Sequence, residues 1–262
     1  MSAFPDFDET TATFDGATKT VWRRGRGPAV IVMAEVPGNT PRVADFARRV
    51  ADRGMTAVMP HLFGTPGKAP SAGYALQTMA RACVSREFTM FATGQASPVT
   101  VWLRRLAADE HDRCGGPGVG AVGMCLTGGF ALAMMVDDTV VAPVLSQPSL
   151  PVGLTTGHKR DLGISEADLA RVKARAAAGC EVLGLRFTGD RLAPAERFAR
   201  LREELGDRFV GVELDSSPGN PYGHKPRAHS VLTEDLDDRP GTPTREALDR
   251  VLDFFARRLG VA

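Results

Sequence analysis

Short, unbroken apolar runs alternate along this chain with stretches of helical periodicity, and that alternation restricts the fold more than any other feature. Residues 29–34, 56–60, 119–124, 140–145, 182–187 and 209–214 read as strands. The first, Ala-Val-Ile-Val-Met-Ala, is continuous rather than alternating, as expected of a strand covered on both faces. Residues 43–53, 99–110, 129–136, 194–205 and 244–259 read as helices, and the last puts Leu248, Val251, Leu252 and Phe255 on one face. Strand–helix alternation predicts an α/β chain with a mainly parallel central sheet and helices on both faces. The Gly- and Pro-rich stretch 64–73 reads as a loop. Residues 165–178 are extra to a minimal design. Ser165 and Asp168 form a cap there and Gly179 a stop, so the segment reads as a surface helix, with a lid as the alternative. No repeat or linker divides the chain, which predicts one domain over residues 1–262.

Composition narrows the function. At 43% apolar, the 262 residues can bury a sizeable core, and the 6% aromatic content suggests one built on Val, Leu, Ala and Met. With 32 basic and 31 acidic side chains the net charge is +1, which gives no electrostatic case for nucleic acid or an anionic membrane. Arg23, Arg24 and Arg26 read as solvated strand ends or turns. No apolar run approaches the roughly 20 residues of a membrane helix. Residues 1–20 are polar and lack the form of a secretory signal, which points to the cytoplasm. None of the four cysteines is in a Cys-x-x-Cys pair, so a zinc site is not expected, and in a reducing compartment they stay free thiols.

The chemistry centres on Gly123-Met124-Cys125-Leu126-Thr127-Gly128-Gly129, which follows an apolar strand and opens a helix. This is the setting of a nucleophile elbow, Gly-x-nucleophile-x-Gly. Neighbours two residues from the nucleophile must be small; Gly123 fits, and Thr127 fits less well. The turn lifts the thiol to the C-terminal edge of the sheet and to the positive end of a helix, which favours thiolate. The N–H of Leu126 then faces the same space as half of an oxyanion hole.

A thiol nucleophile needs a base, and hydrolases of this kind run nucleophile, acid, histidine along the chain. His229 lies after the last strand, just ahead of Val231 and Leu232, which can anchor its loop; His224 looks more solvated. Asp190, after the Thr188-Gly189 turn, is the candidate acid that would orient the imidazole, with Asp215 as the fallback. Glu35 ends the first buried run and would face the same sheet edge, and the N–H of Val36 could supply the second oxyanion donor.

With these residues in place, the sequence resembles the dienelactone hydrolase family from about residue 20 to 258. The resemblance rests on Glu35, the cysteine elbow at 123–129, Asp190 and His229. It implies an α/β-hydrolase fold and a Cys125–His229–Asp190 triad that forms a thioester acyl-enzyme on a small ester or lactone. It also implies that Glu35 contacts the resting thiol and moves when substrate arrives. No metal or organic cofactor is implied. Two departures stand out: Thr127 where the family usually has Gly, and Thr233 where members acting on dienelactones carry a carboxylate-binding Arg. Arg81 and Arg86, in the region of the family's other carboxylate-binding Arg, are candidates for substrate binding, and Arg227 is a further one. The chain is expected to act as a monomer or small homo-oligomer on a small molecule. The alternatives are a non-catalytic small-molecule-binding or thiol-sensing protein on the same fold, and acyl transfer to an acceptor other than water.

Overall fold

A computed structural model describes residues 2–84, 97–150 and 156–261. Eight strands form one sheet in the order β1-β2-β4-β3-β5-β6-β7-β8. They are β1 (Asp8–Phe14), β2 (Ala17–Gly25), β3 (Ala29–Met33), β4 (Thr56–Pro60), β5 (Val119–Met124), β6 (Val140–Ser146), β7 (Val182–Phe187) and β8 (Phe209–Leu214). From β4 across to β8 every pairing is parallel, whereas β1–β2 and β2–β4 are antiparallel. The described helices are α1 (Pro41–Asp52), α2 (Ala72–Val84), α3 (Pro98–Cys114), α4 (Gly128–Met134), α5 (Thr156–Arg160), α6 (Glu166–Ala177), α7 (Ala195–Leu205) and α8 (Pro243–Leu259). Among the described residues no helix is long and apolar enough to cross a membrane.

Period-two alternation in β3 feeds both faces of the sheet. Ala29, Ile31 and Met33 join one apolar cluster with α3, α4, α6 and α7. Val30 and Val32 join another with α1 and α8. The helices begin where local chemistry tells them to. Thr40 and Ser97 accept N–H bonds from Val43 and Thr100, each ahead of a proline in the first turn. The predicted Ser165 cap is present, its Oγ 3.0 Å from the Asp168 N–H. At the other end of the chain Gly260 takes up the left-handed conformation that closes α8.

One element is additional to those read from the sequence: β1 and β2 form a hairpin across Asp15 and Gly16, both at positive φ (50° and 80°). Two expectations need correction. Arg23 is not a solvated strand end. It shares an inward face of β2 with Val21, and its Nε donates to Glu110 of α3 at 2.6 Å, with both side chains buried. Aromatic residues are few, yet Trp102, Phe46, Phe130, Phe187, Phe198 and Phe255 are among the largest fully buried side chains. A handful of large rings does much of the filling that Val, Leu, Ala and Met were expected to do alone.

Candidate active site

The chain leaves β5 at Met124 and turns at once through a 3-10 turn, Cys125–Thr127, into α4. Cys125 is buried and sits at φ 55°, a left-handed conformation that costs a residue with a Cβ about 1–2 kcal/mol. The surroundings hold it there. A Cβ on Gly123 would overlap the Thr127 carbonyl, 2.5 Å from its carbon and 2.9 Å from the Gly128 Cα, so only glycine permits the close return of the chain. The Ser149 N–H, beyond β6, donates to the Cys125 carbonyl at 2.9 Å. Leu126, at the start of the turn, has no intrahelical acceptor for its N–H.

Thr127 turns out to be a strut rather than a poor substitute for glycine. Its fully buried hydroxyl accepts from the Met124 N–H at 2.8 Å. Its single proton has a choice of three carbonyls: Met124 at 2.9 Å, Met33 at 3.0 Å and Ala34 at 3.2 Å. The elbow is thereby tied to the end of β3, which leads straight into Glu35 and Val36.

The acid and the histidine arrive from the far side of the sheet. Beyond β7 the chain turns at Asp190, whose N–H reaches back to the Phe187 carbonyl at 3.2 Å. One oxygen of the buried Asp190 carboxylate caps the Leu192 N–H at 2.9 Å, and the other accepts from His229 Nδ1 at 2.6 Å. His229 lies in the loop after β8. The buried Val231 and Leu232 anchor that loop, and one Asp235 oxygen accepts from the N–H groups of His229 (2.8 Å) and Ser230 (3.1 Å). His229 Nε2 is buried with no hydrogen bond of good geometry, but Cys125 lies near enough to act on it electrostatically. Burial alone would lower the imidazole pKa. Hydrogen bonding to Asp190, the contact with Cys125 and the negative charge of both outweigh it, and His229 is pushed up to about 11.

That shift predicts a pH signature in stability. A group raised from 6.5 in the unfolded chain to about 11 stabilises the fold fully below pH 6.5 and loses that contribution as pH rises through the folded value. Urea unfolding of wild type and His229→Gln between pH 6 and 9.5 is expected to show a gap that narrows steadily with pH. A gap constant over that range would contradict the raised value.

Glu35 is buried and takes three hydrogen bonds, none of them from Cys125. Gln147 Nε2 donates at 3.1 Å, Ser230 Oγ at 2.6 Å, and Thr233 Oγ1 donates to the second oxygen. Gln147, the first residue after β6, is itself at φ 35°. Half-buried Val36 follows Glu35 at the end of the β3 exit. His224 stands apart, with Nδ1 2.7 Å from the Asp215 carbonyl oxygen and its ring against Phe187; Asp215 caps the Ser217 N–H of its own turn. The Arg81 side chain and Arg86 lie outside the described residues.

Sequence reasoning did not find Gln147, Ser230, Asp235 or Arg197. Among the described residues the buried Arg197 guanidinium makes no direct ion pair with a carboxylate, although Asp161 and Asp190 act on it through charge. It donates to the main-chain carbonyls of Pro148 (2.6 Å), Asp161 (2.7 Å), His158 (3.2 Å) and Leu192 (3.4 Å). Burial lowers its pKa to about 10, which leaves it protonated at neutral pH. A cleft of about 770 Å³ opens behind Asp190, lined among others by Arg191, Ser217 and Arg227, but neither Cys125 nor His229 lines it. It is therefore not where a carbonyl would meet the thiol. No group of three or more His, Cys, Asp and Glu among the described residues could hold a metal ion.

A sheet of this order, with a strand–turn–helix elbow on β5 and helices on both faces, defines the chain as an α/β-hydrolase-fold protein, and the comparisons with known proteins agree. The model of the dienelactone hydrolase family matches residues 14–259, and the chain belongs to that family of carboxylic ester hydrolases. A Klebsiella pneumoniae protein assigned as a dienelactone hydrolase is similar in structure, with TM-score 0.67 and 18% identity over 96% of this chain and 98% of that one. A cold-adapted esterase from an Arctic intertidal metagenomic library gives 0.58 and 14%, over 96% and 92%. The Pyrococcus furiosus esterase Pf2001 gives 0.59 and 12%, over 97% and 93%. At such identities these structures speak to the fold. No curated protein matches the sequence.

Proposed function

We propose that this ester hydrolase works through Cys125, His229 and Asp190 on a small ester or lactone. The observation that carries the reading is a cysteine held at φ 55° on the elbow beside an imidazole whose far nitrogen is 2.6 Å from a buried carboxylate. Cys125 Sγ would attack the carbonyl carbon with its proton already on His229 Nε2, the nitrogen with no other hydrogen bond, because the raised pKa keeps that imidazole protonated at neutral pH. Asp190 fixes the Nδ1–H tautomer and stabilises the imidazolium. The N–H groups of Leu126 and Val36 are the proposed oxyanion donors, and the Thr127 strut supports their common placement. Collapse of the tetrahedral intermediate expels the alcohol with the proton from His229. Water, deprotonated by the same imidazole, then cleaves the thioester and regenerates the thiol.

Thr233 offers the substrate no positive charge and is engaged by Glu35, so recognition of a substrate carboxylate is not assigned to that position. Among the described residues Cys114, Cys125 and Cys180 are free thiols, which supports a cytoplasmic enzyme. Peptide mass spectrometry after a brief exposure to p-nitrophenyl acetate and an acid quench tests the reading. The expected result is one acetyl group, on Cys125. An acetyl group on a different residue, or turnover with Cys125 never modified, would overturn it.

A further inference from the structure

The three hydrogen bonds on Glu35 come from two separate pieces of chain. Gln147 stands at the exit of β6, pinned by its own N–H to the Leu185 carbonyl at 2.7 Å and by Ser146, whose hydroxyl donates to its side-chain oxygen. Ser230 and Thr233 belong to the loop that carries His229, and Ser230 is its immediate neighbour. All four side chains are at least nine-tenths buried: Glu35 is 4% exposed, Gln147 0%, Ser230 9% and Thr233 3%. Water therefore does not compete, and a carboxylate with room for about four donors has three places filled by protein. Asp235 shapes the same loop from within by capping two of its own N–H groups, but it does not attach the loop to the sheet. Glu35, at the end of β3, does.

From this we infer that Glu35 is a positioning residue: it clamps the His229 loop to the β3 and β6 exits, so that the imidazole stands at the thiol before any substrate binds. The inference rests on the triad proposed above and gives Glu35 a different task from the gate implied by family resemblance. A gate must be free to swing away from the thiol. Here a swing would strand two buried hydroxyls and a buried amide, each costing about 1–3 kcal/mol without a partner. The charged groups around the clamp are Glu234, whose pKa is raised by burial and by the nearby Glu35 charge, and Asp235 and Arg42, which act on Glu234 in opposite senses.

The hydroxyl of Thr233 gives the cleanest test. Thr233→Val keeps the shape and removes the donor, whereas Thr233→Ser keeps the donor. Thr233→Val, Ser230→Ala and Glu35→Ala are expected to lower kcat and the pre-steady-state acylation rate by about tenfold to a hundredfold. KM should stay within about twofold, and Thr233→Ser should restore wild-type rates. Alkylation of Cys125 by iodoacetamide at neutral pH, without substrate, should slow in the same variants. Faster alkylation in Glu35→Ala would show a residue that restrains the thiol and overturn the inference, as would unchanged acylation in Thr233→Val. Should Glu35→Ala fail to fold, the Thr233 pair decides alone. His229→Ala separates the two layers: rates that ignore His229 sink the triad, and rates that need His229 but ignore Thr233 and Ser230 sink only the clamp.

Discussion

Cys125→Ala is expected to lower kcat/KM on an aryl ester at least about a thousandfold while leaving the protein folded. In the proposed mechanism the sulfur is the atom that forms and breaks the covalent bond, and the Thr127 hydroxyl on the same elbow is already engaged with main-chain groups. Oxyanion donors and substrate binding survive the change, so activity should fall to a residual level above the uncatalysed rate. Stability should change little. Alanine at φ 55° carries the same backbone strain as cysteine, and the loss is one buried sulfur. Steady-state kinetics beside a thermal melt checks both halves. Equal rates in the two proteins would take Cys125 out of the chemistry altogether.

The second large effect falls on folding. Gly123→Ala places a methyl group into the main chain of the turn, 2.5 Å from the Thr127 carbonyl carbon. The obstacle is backbone, and that backbone is held by the Thr127 hydroxyl's ties to Met124 and to the end of β3. No rotamer change relieves such an overlap. A cost above about 4 kcal/mol is expected, a large part of the 5–15 kcal/mol that keeps an ordinary domain folded. The variant should appear mainly in the insoluble fraction or melt far below wild type. A melt within a few degrees of wild type would mean the elbow is not packed as described.

Much of this molecule can be read without coordinates. The central parallel strands announce themselves as continuous apolar runs because both their faces are covered, and β5 and β7 fall where their runs predict, as does the partly buried edge strand β8. His229 and Asp190 are legible from chain order after the last strands, although their 2.6 Å contact is not. The β1–β2 hairpin was missed for want of apolar runs, yet the Asp15-Gly16 pair between two β-branched stretches was its signal. Arg23 looked like surface charge because its partner, Glu110, lies far along the chain on α3. The ring around Glu35 was beyond sequence reasoning for the same reason: no spacing links positions 35, 147, 230 and 233. Thr127 was legible as a departure from glycine but not as a bridge, since its acceptors belong to a strand ninety residues earlier.

Arg197 carries one more lesson. Every oxygen that receives its guanidinium is part of the main chain, and every residue type supplies that oxygen. The segments it gathers, around 148, 158, 161 and 192, are therefore free to change their side chains without loosening their grip on the fork. One cation holds the frame near Asp190 whatever side chains the surrounding segments carry. Lysine cannot inherit the post, for a single ammonium cannot reach four carbonyls spread around a planar fork.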